Sequence, residues 1–197
     1  MFIELTDHLR CPADHAEQFL VLLPDRMEGR RVFGGDLGCP VCGKVVRVDE
    51  GIADFGDAPS SDGKTSLSAD ALAAFFGLSG PGGYLALAGG LTTLAPELAA
   101  LTPGVRLVLV NPPAGTPDAE TASVIRSARL PLKAASMRGV AIGADLAPDP
   151  AWIADAARAT LPGLRVVAEG GVPPADGVEV IGSAGGVWVG TVRQVSR

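Results

Sequence analysis

The chain has 197 residues, a formal charge of −6 and only 5% aromatic side chains, and Ala, Gly and Pro together fill 72 positions. It is too apolar for a disordered chain, too acidic for the basic face that non-specific nucleic-acid binding needs, and its three cysteines cannot close a disulfide framework. No apolar run approaches about 18 residues, so no membrane span is expected. The polar start MFIELTDHLRCP does not read as a signal peptide, which makes a cytoplasmic protein the expectation.

Charge is spread unevenly. Residues 1–64 hold 12 acids and 7 bases, whereas residues 65–197 hold 10 and 9 in twice the length. All three cysteines and both histidines precede residue 43. The run Asp57-Ala-Pro-Ser-Ser-Asp-Gly-Lys-Thr-Ser66 is rich in turn formers and reads as a linker. The expected units are residues 1–56, the linker 57–66, and residues 67–197.

The first unit reads as short strands. Phe19–Leu23 leads to a turn at Pro24-Asp25, Arg30–Phe33 returns, and Lys44–Asp49 and Gly51–Phe55 follow. Its strongest motif is Cys39-Pro-Val-Cys-Gly43. Two thiolates at C-x2-C followed by Gly form a metal knuckle, whose tight turn aims backbone N–H groups at the sulfurs and needs glycine's left-handed freedom. Cys11-Pro-Ala-Asp-His15 begins like a second knuckle but lacks its second cysteine. A tetrahedral zinc takes four N or S ligands, so Cys11, Cys39, Cys42 and His15 are the expected set, with Asp14 and His8 as the other candidates for the fourth position. The competing reading is a redox pair of Cys39 and Cys42, but such a pair normally sits at a helix start, and this one lies among predicted hairpins. Four protein ligands leave no open position, so the expected zinc is structural and supplies folding energy that a unit of this size lacks.

The pattern of Cys11-Pro12, Gly38-Cys39-Pro-Val-Cys-Gly43 and Val48-Asp-Glu-Gly-Ile-Ala-Asp-Phe55 resembles the zinc ribbon of the small activator subunits of methyltransferases, a ribbon that also precedes some bacterial methyltransferases. The likeness spans residues 5–55 and departs from the family at Asp14-His15, where a cysteine is usual.

In the second unit, helices are expected over 67–78 (capped near Ser68), 93–101, 118–127 and 150–161. Buried-type strands are expected over 83–88, 105–110, 138–143 and 164–169, and a closing hairpin over 178–181 and 186–192. Continuous apolar strands between helices imply a parallel sheet covered on both faces. The expected fold class is α/β: a β-rich zinc ribbon followed by a small Rossmann-like, three-layer αβα domain with a mostly parallel sheet and a C-terminal antiparallel hairpin. This order resembles a class I S-adenosylmethionine (SAM) methyltransferase. Trp152–Glu169 is similar to the family's late helix, Pro-Gly turn and fifth strand, and Leu130–Ile142 to the segment entering its fourth strand.

The resemblance implies SAM as cofactor, held at Gly89, Gly90 and Asn111. The family's pattern is altered at each of these places. Ala86 stands where the first strand has an acid, Ala88 and Thr92 stand where the outer glycines belong, and Asn111 replaces the ribose-binding acid. One neutral hydrogen bond contributes about 1 kcal/mol, against about 1.5–3 kcal/mol for a bond to a charged group. Only about ten residues, including Pro173-Pro174, join the fifth strand to the next, where the family has a helix. From residue 65 onward there is no His or Cys and one Tyr, Tyr84. The acids Asp145, Asp149 and Glu169 stand near predicted strand ends, where caps and loop contacts are their ordinary use. Asn111-Pro112-Pro113 follows the second strand and lacks the aromatic of an amino-methylating signature, and Trp152 and Trp188 read as core. The leading expectation is a non-catalytic protein acting through a protein partner or through self-association. The alternatives are a SAM-dependent methyltransferase with an atypical cofactor site and a binder of another small ligand. A homodimer is expected because a small sheet ending in an exposed hairpin has an edge to cover.

Overall fold

A computed structural model describes residues 1–173 and 176–194. Residues 174–175, which include Pro174, and 195–197 of the expected second unit lie outside the described residues.

Four antiparallel strands form a meander: β1 (Val21–Glu28), β2 (Arg31–Gly38), β3 (Val45–Asp49) and β4 (Ile52–Asp54). Alternation decides which face is buried. Val32, Leu37, Val46 and Val48 point into the core, while Val21, Leu23 and Val45 point to solvent. A 3-10 helix over Ile3–His8 precedes the meander.

The second half carries five parallel strands: β5 (Tyr84–Ala88), β6 (Arg106–Val110), β7 (Ala122–Arg126), β8 (Met137–Ile142) and β9 (Thr160–Glu169). Their spatial order is β7-β6-β5-β8-β9, followed by the antiparallel hairpin of β11 (Val187–Val192) and β10 (Val178–Ala184). The chain runs outward from β5 through β6 to β7, then crosses back to β8. This is the Rossmann order, with its topological switch point between β5 and β8. The hairpin edge is antiparallel, as expected. β4 pairs in parallel with β7, so the meander and the parallel strands form one 11-stranded sheet.

Helices α1 (Ala69–Phe76) and α2 (Ala95–Leu101) cover one face, and α3 (Pro150–Ala159) covers the other. Ser68 caps α1 by accepting the Ala71 N–H at 3.2 Å, and Asp149 caps α3 by accepting the Ala151 N–H at 2.9 Å. Leu72, Phe76 and Leu98 pack on Leu85, Leu87, Leu107 and Leu109. On the opposite face Trp152 and Ile153 join Val140, Ile142 and Val166, and Trp152 and Trp188 are both core, as expected.

Two expectations are corrected. The turn read at Pro24-Asp25 is absent, because β1 runs through both residues with a break in register there and turns to β2 at Gly29-Arg30. The helix read over residues 118–127 is absent, and residues 122–126 form β7 instead. Ala122 and Val124 are buried in the layer under α1 and α2, and Ile125 in the opposite layer. Two-sided burial with β-branched residues favours an inner strand over a surface helix. The face that a crossover helix would cover is taken by the N-terminal segment, where Met1, Phe2, Leu5 and Leu9 are buried and the Phe2 N–H donates to Ser123 Oγ at 2.9 Å. Asp118, in the loop before β7, is buried beneath the meander, and its carboxylate accepts from the Arg31 guanidinium and the Met1 ammonium. No helix among the described residues is long and apolar enough to cross a membrane.

Candidate functional site

The meander and the segment before it bring four ligand atoms together. Those of Cys11, His15, Cys39 and Cys42 all lie within 4.8 Å of one another. Each arrives by a local device. The Cys11 N–H donates to the Gln18 carbonyl at 3.0 Å, which closes the loop that carries His15. At the second knuckle the Gly43 N–H donates to the Cys39 carbonyl at 3.0 Å, and Gly43 has a φ of +72°, which glycine adopts without strain. The turn aims the Cys42 and Val41 N–H groups at the Cys39 sulfur and holds its pKa down to about 6. Burial pushes the Cys11 thiol up to about 11, with the neighbouring thiols adding to the shift.

The spacing fits one small tetrahedral ion. Zn–S bonds of about 2.3 Å and Zn–N bonds of about 2.0–2.1 Å place ligand atoms roughly 3.5–3.8 Å apart. Cys11 Sγ lies 3.7 Å from Cys42 Sγ, and Cys39 Sγ lies 3.5 Å from His15 Nε2. His15 Nδ1 lies 2.7 Å from the Ala16 carbonyl, a bond that places the proton on Nδ1 and turns the Nε2 lone pair toward the sulfurs. The same carbonyl is the main cause of the raised His15 pKa. Neither alternative to His15 reaches the cluster. The His8 ring packs edge-on against Tyr84, with centroids 5.0 Å apart, and Asp14 is not among the converging ligand atoms but lines a polar cavity of about 230 Å³ beside His15, with Arg10, Arg129 and Arg158.

The second place examined chemically is the crevice at the switch point, outside the C-terminal ends of β5, β8 and β9. Open α/β sheets bind ligands there. The structure sets Gly89 and Gly90 at that point, in a 3-10 turn directly after β5. The space in front of them is filled by the chain itself. A Cβ added at Gly90 would collide with the Lys64 carbonyl, and one added at Gly89 would collide with the Asp145 carboxylate. Asp145 Oδ1 accepts the Gly90 N–H at 3.1 Å. Glu169, at the end of β9, is buried and holds residues 65–66 in place. Its Oε1 accepts Thr65 Oγ1 at 2.9 Å, Ser66 N–H at 2.7 Å and Ser66 Oγ at 2.7 Å. Gly63 rests against Pro113 and Thr93.

Asn111 sits at the end of β6 with a φ of +53° and is fully buried. Its Nδ2 donates to the Ser127 carbonyl at 2.8 Å, and its Oδ1 accepts the Ser127 N–H at 2.9 Å. Both ends of the amide therefore tie β6 to the residue after β7. Beside the crevice lies an apolar cavity of about 320 Å³, lined by Leu109, Pro96, Pro113 and threonines and by no charged side chain. Sequence reasoning treated residues 57–66 as a linker and missed that residues 63–66, half-buried or exposed, lie against the crevice. Their hydroxyl-rich end, Thr65-Ser66, was the only signal of a buried polar partner.

No protein-family model matches the chain, and no curated protein matches it. Solved structures with some similarity are methyltransferases by name. One is an antibiotic-resistance methyltransferase, Kmr, at 14% identity, covering 70% of this chain and 99% of that one with a TM-score of 0.44. Another is a geranyl diphosphate methyltransferase, at 16% identity, covering 51% of this chain and 42% of that one with a TM-score of 0.39. A third is the 16S rRNA methyltransferase RsmC of T. thermophilus, at 14% identity, covering 89% of this chain and 45% of that one with a TM-score of 0.32.

Proposed function

We propose that this is a non-catalytic zinc-binding protein. In this reading a zinc ribbon, with Cys11, His15, Cys39 and Cys42 as ligands, is built onto a methyltransferase-like domain that no longer takes SAM and acts through protein–protein contact. The observation that carries the reading is the filled crevice. Lys64 lies against Gly90, Glu169 latches Thr65 and Ser66, and the Asn111 amide is fully engaged by Ser127. A cofactor at Gly89, Gly90 and Asn111 would have to expel residues 63–66 and break the Asn111 bonds. The zinc, when bound, supplies a closed structural cross-link between the loop at Cys11 and the turn at Cys39.

The second reading is a SAM-dependent methyltransferase with an atypical cofactor site. It is favoured by the glycine turn standing at the switch point of a Rossmann-ordered sheet. Calorimetry of the zinc-loaded chain with SAM and with its demethylated product separates the two. The first reading expects no binding at millimolar ligand. Micromolar binding of either ligand sinks it and favours the second. Elemental analysis should find one zinc per chain, and His15→Ala should lower that occupancy. Full occupancy in His15→Ala would show that the ligand set is wrong.

A further inference from the structure

We infer that the outer edge of β10 is the surface on which a second copy of this chain docks, extending the sheet across a two-fold axis at Ile181. The two ends of the sheet differ. The β1 end is defended against pairing, because it carries Pro24, Asp25, Arg26 and Glu28 and two breaks in register with β2. Proline, charge and irregularity are the devices that block edge-to-edge association. The β10 end has no Pro, Lys or Arg over Val178–Ala184, its one charge is Glu179, and it carries one break in register with β11, at Ile181. Val180 and Ile181 are 44% and 52% exposed there. Among the described residues nothing pairs with this outer edge.

The occupant follows from the strand's own sequence. A two-fold interface must be complementary to itself. β10 is divided at Ile181 into a bulky half, Val178-Glu-Val180, and a small half, Gly182-Ser-Ala184. Antiparallel pairing centred on Ile181 sets Val178 against Ala184, Glu179 against Ser183 and Val180 against Gly182 of the second copy. Apart from Ile181, which meets its own copy at the axis, each bulkier residue meets a smaller one, and the two glutamates do not face each other. Ile181 has no register partner on β11, because the ladder steps from Val180 to Gly182 at that point. It borders an apolar groove of about 290 Å³ formed with Phe75, Val187 and Val189. In the paired arrangement the second copy's Ile181 lies beside this groove and covers it. Backbone bonds then fix the register, and the groove adds apolar contact toward the roughly 800 Å² per partner of a stable interface. This inference stands apart from the reading of the crevice, since it depends on the hairpin alone.

Analytical ultracentrifugation of the full zinc-loaded chain tests it. The expected mass is that of two chains, with dissociation on dilution. Ser183→Glu sets a like charge against Glu179 twice in each pair, and at about 0.2–1 kcal/mol per contact the dissociation constant should rise about 2- to 30-fold. Ser183→Lys should lower it by a similar factor. Ile181→Lys places two ammonium groups at the axis and should give a single-chain mass. Zinc content and circular dichroism, unchanged in the exposed Ser183 variants, exclude misfolding as the cause. A wild-type chain that is monomeric at every concentration overturns the inference. So does a dimer whose dissociation constant does not move in opposite directions for Ser183→Glu and Ser183→Lys.

Discussion

The cysteine cluster and the switch-point crevice are built from similar turns, yet they hold their polar groups in opposite ways. Around Cys11, His15, Cys39 and Cys42 backbone bonds close the turns, and the four ligand atoms converge within 4.8 Å of one another. Around Gly89, Gly90 and Asn111 the donors and acceptors are matched to one another, to Asp145, to Glu169 Oε1 and to Ser127, while Glu169 Oε2 is buried and has no partner among the described residues. A binding site needs polar atoms left over after folding. By that criterion the cysteine cluster offers four converging ligand atoms, and the crevice keeps a single one, Glu169 Oε2.

The largest effect expected from breaking this contrast is at the metal. Binding of a structural zinc is folding free energy, about 10–16 kcal/mol in isolated zinc fingers. Even a few kcal/mol of it matters, since each kcal/mol shifts the melting temperature of a chain of this size by about 2–4 °C. Chelation, or Cys11→Ser, should therefore lower the melting temperature by at least about 10 °C in calorimetry, with loss of the metal. A melting temperature indifferent to chelator would place the stability elsewhere. The same site has a pH signature. The Cys39 thiol has a pKa of about 6, below its ordinary value, so the folded state binds fewer protons there than the unfolded chain does. Its contribution is present above the unfolded pKa and is lost as pH falls through about 6. Zinc binding displaces the thiol protons, so occupancy measured against pH should hold in neutral solution and decline in acid.

The next effect lies where the two regions meet. Asp118 is buried and takes the Arg31 guanidinium from β2. Asp118→Ala leaves that charge without its partner and should cost about 3–5 kcal/mol, as removing one member of a buried pair does, read by urea denaturation. A cost under 1 kcal/mol would show that the pair is effectively solvated.

Smaller effects test the crevice. Asn111→Ala removes two buried hydrogen bonds and should destabilise by about 2–6 kcal/mol, at about 1–3 kcal/mol for each of the two Ser127 groups left unsatisfied. A residue reserved for a ligand could be replaced at little cost, so a neutral result would argue for a binding role. Thr65→Ala and Ser66→Ala each remove one hydroxyl from Glu169 and should cost about 1–2 kcal/mol. A gain of SAM binding in the double variant would show that the latch is what keeps the crevice shut.

Much of this was legible in the residues, for identifiable reasons. The knuckle Cys39–Gly43 has a fixed spacing that only a turn with aimed amides satisfies, and His15 was named with Cys11 from ligand chemistry. The Rossmann-like alternation of strand and helix was readable because Tyr84–Ala88 and residues 107–110, 139–142 and 166–168 are uninterrupted apolar runs. The third strand was not, because Ala122-Ser-Val-Ile-Arg126 is short and follows Asp118-Ala-Glu-Thr121, a composition that suits a helix start. Only the packed sheet, which needs a strand between β6 and β4, decides it. Residues 57–66 illustrate the same limit. Their Pro, Ser, Gly and Asp content marks a chain without regular structure, but it does not show whether that chain hangs in solvent or lies in a crevice. The buried acceptor that fixes it, Glu169, is more than 100 residues away in sequence.

Hydrogen exchange at the Ser66 and Gly90 amides tests the central claim most directly. Both amides donate to carboxylates inside the crevice, Ser66 to Glu169 and Gly90 to Asp145. With the crevice closed in solution, peptides covering residues 61–67 and 86–92 should exchange slowly, and adding SAM should leave their rates unchanged. Fast exchange of residues 61–67, or selective slowing of residues 86–92 on addition of SAM, would contradict the account and show that the crevice is a working cofactor site.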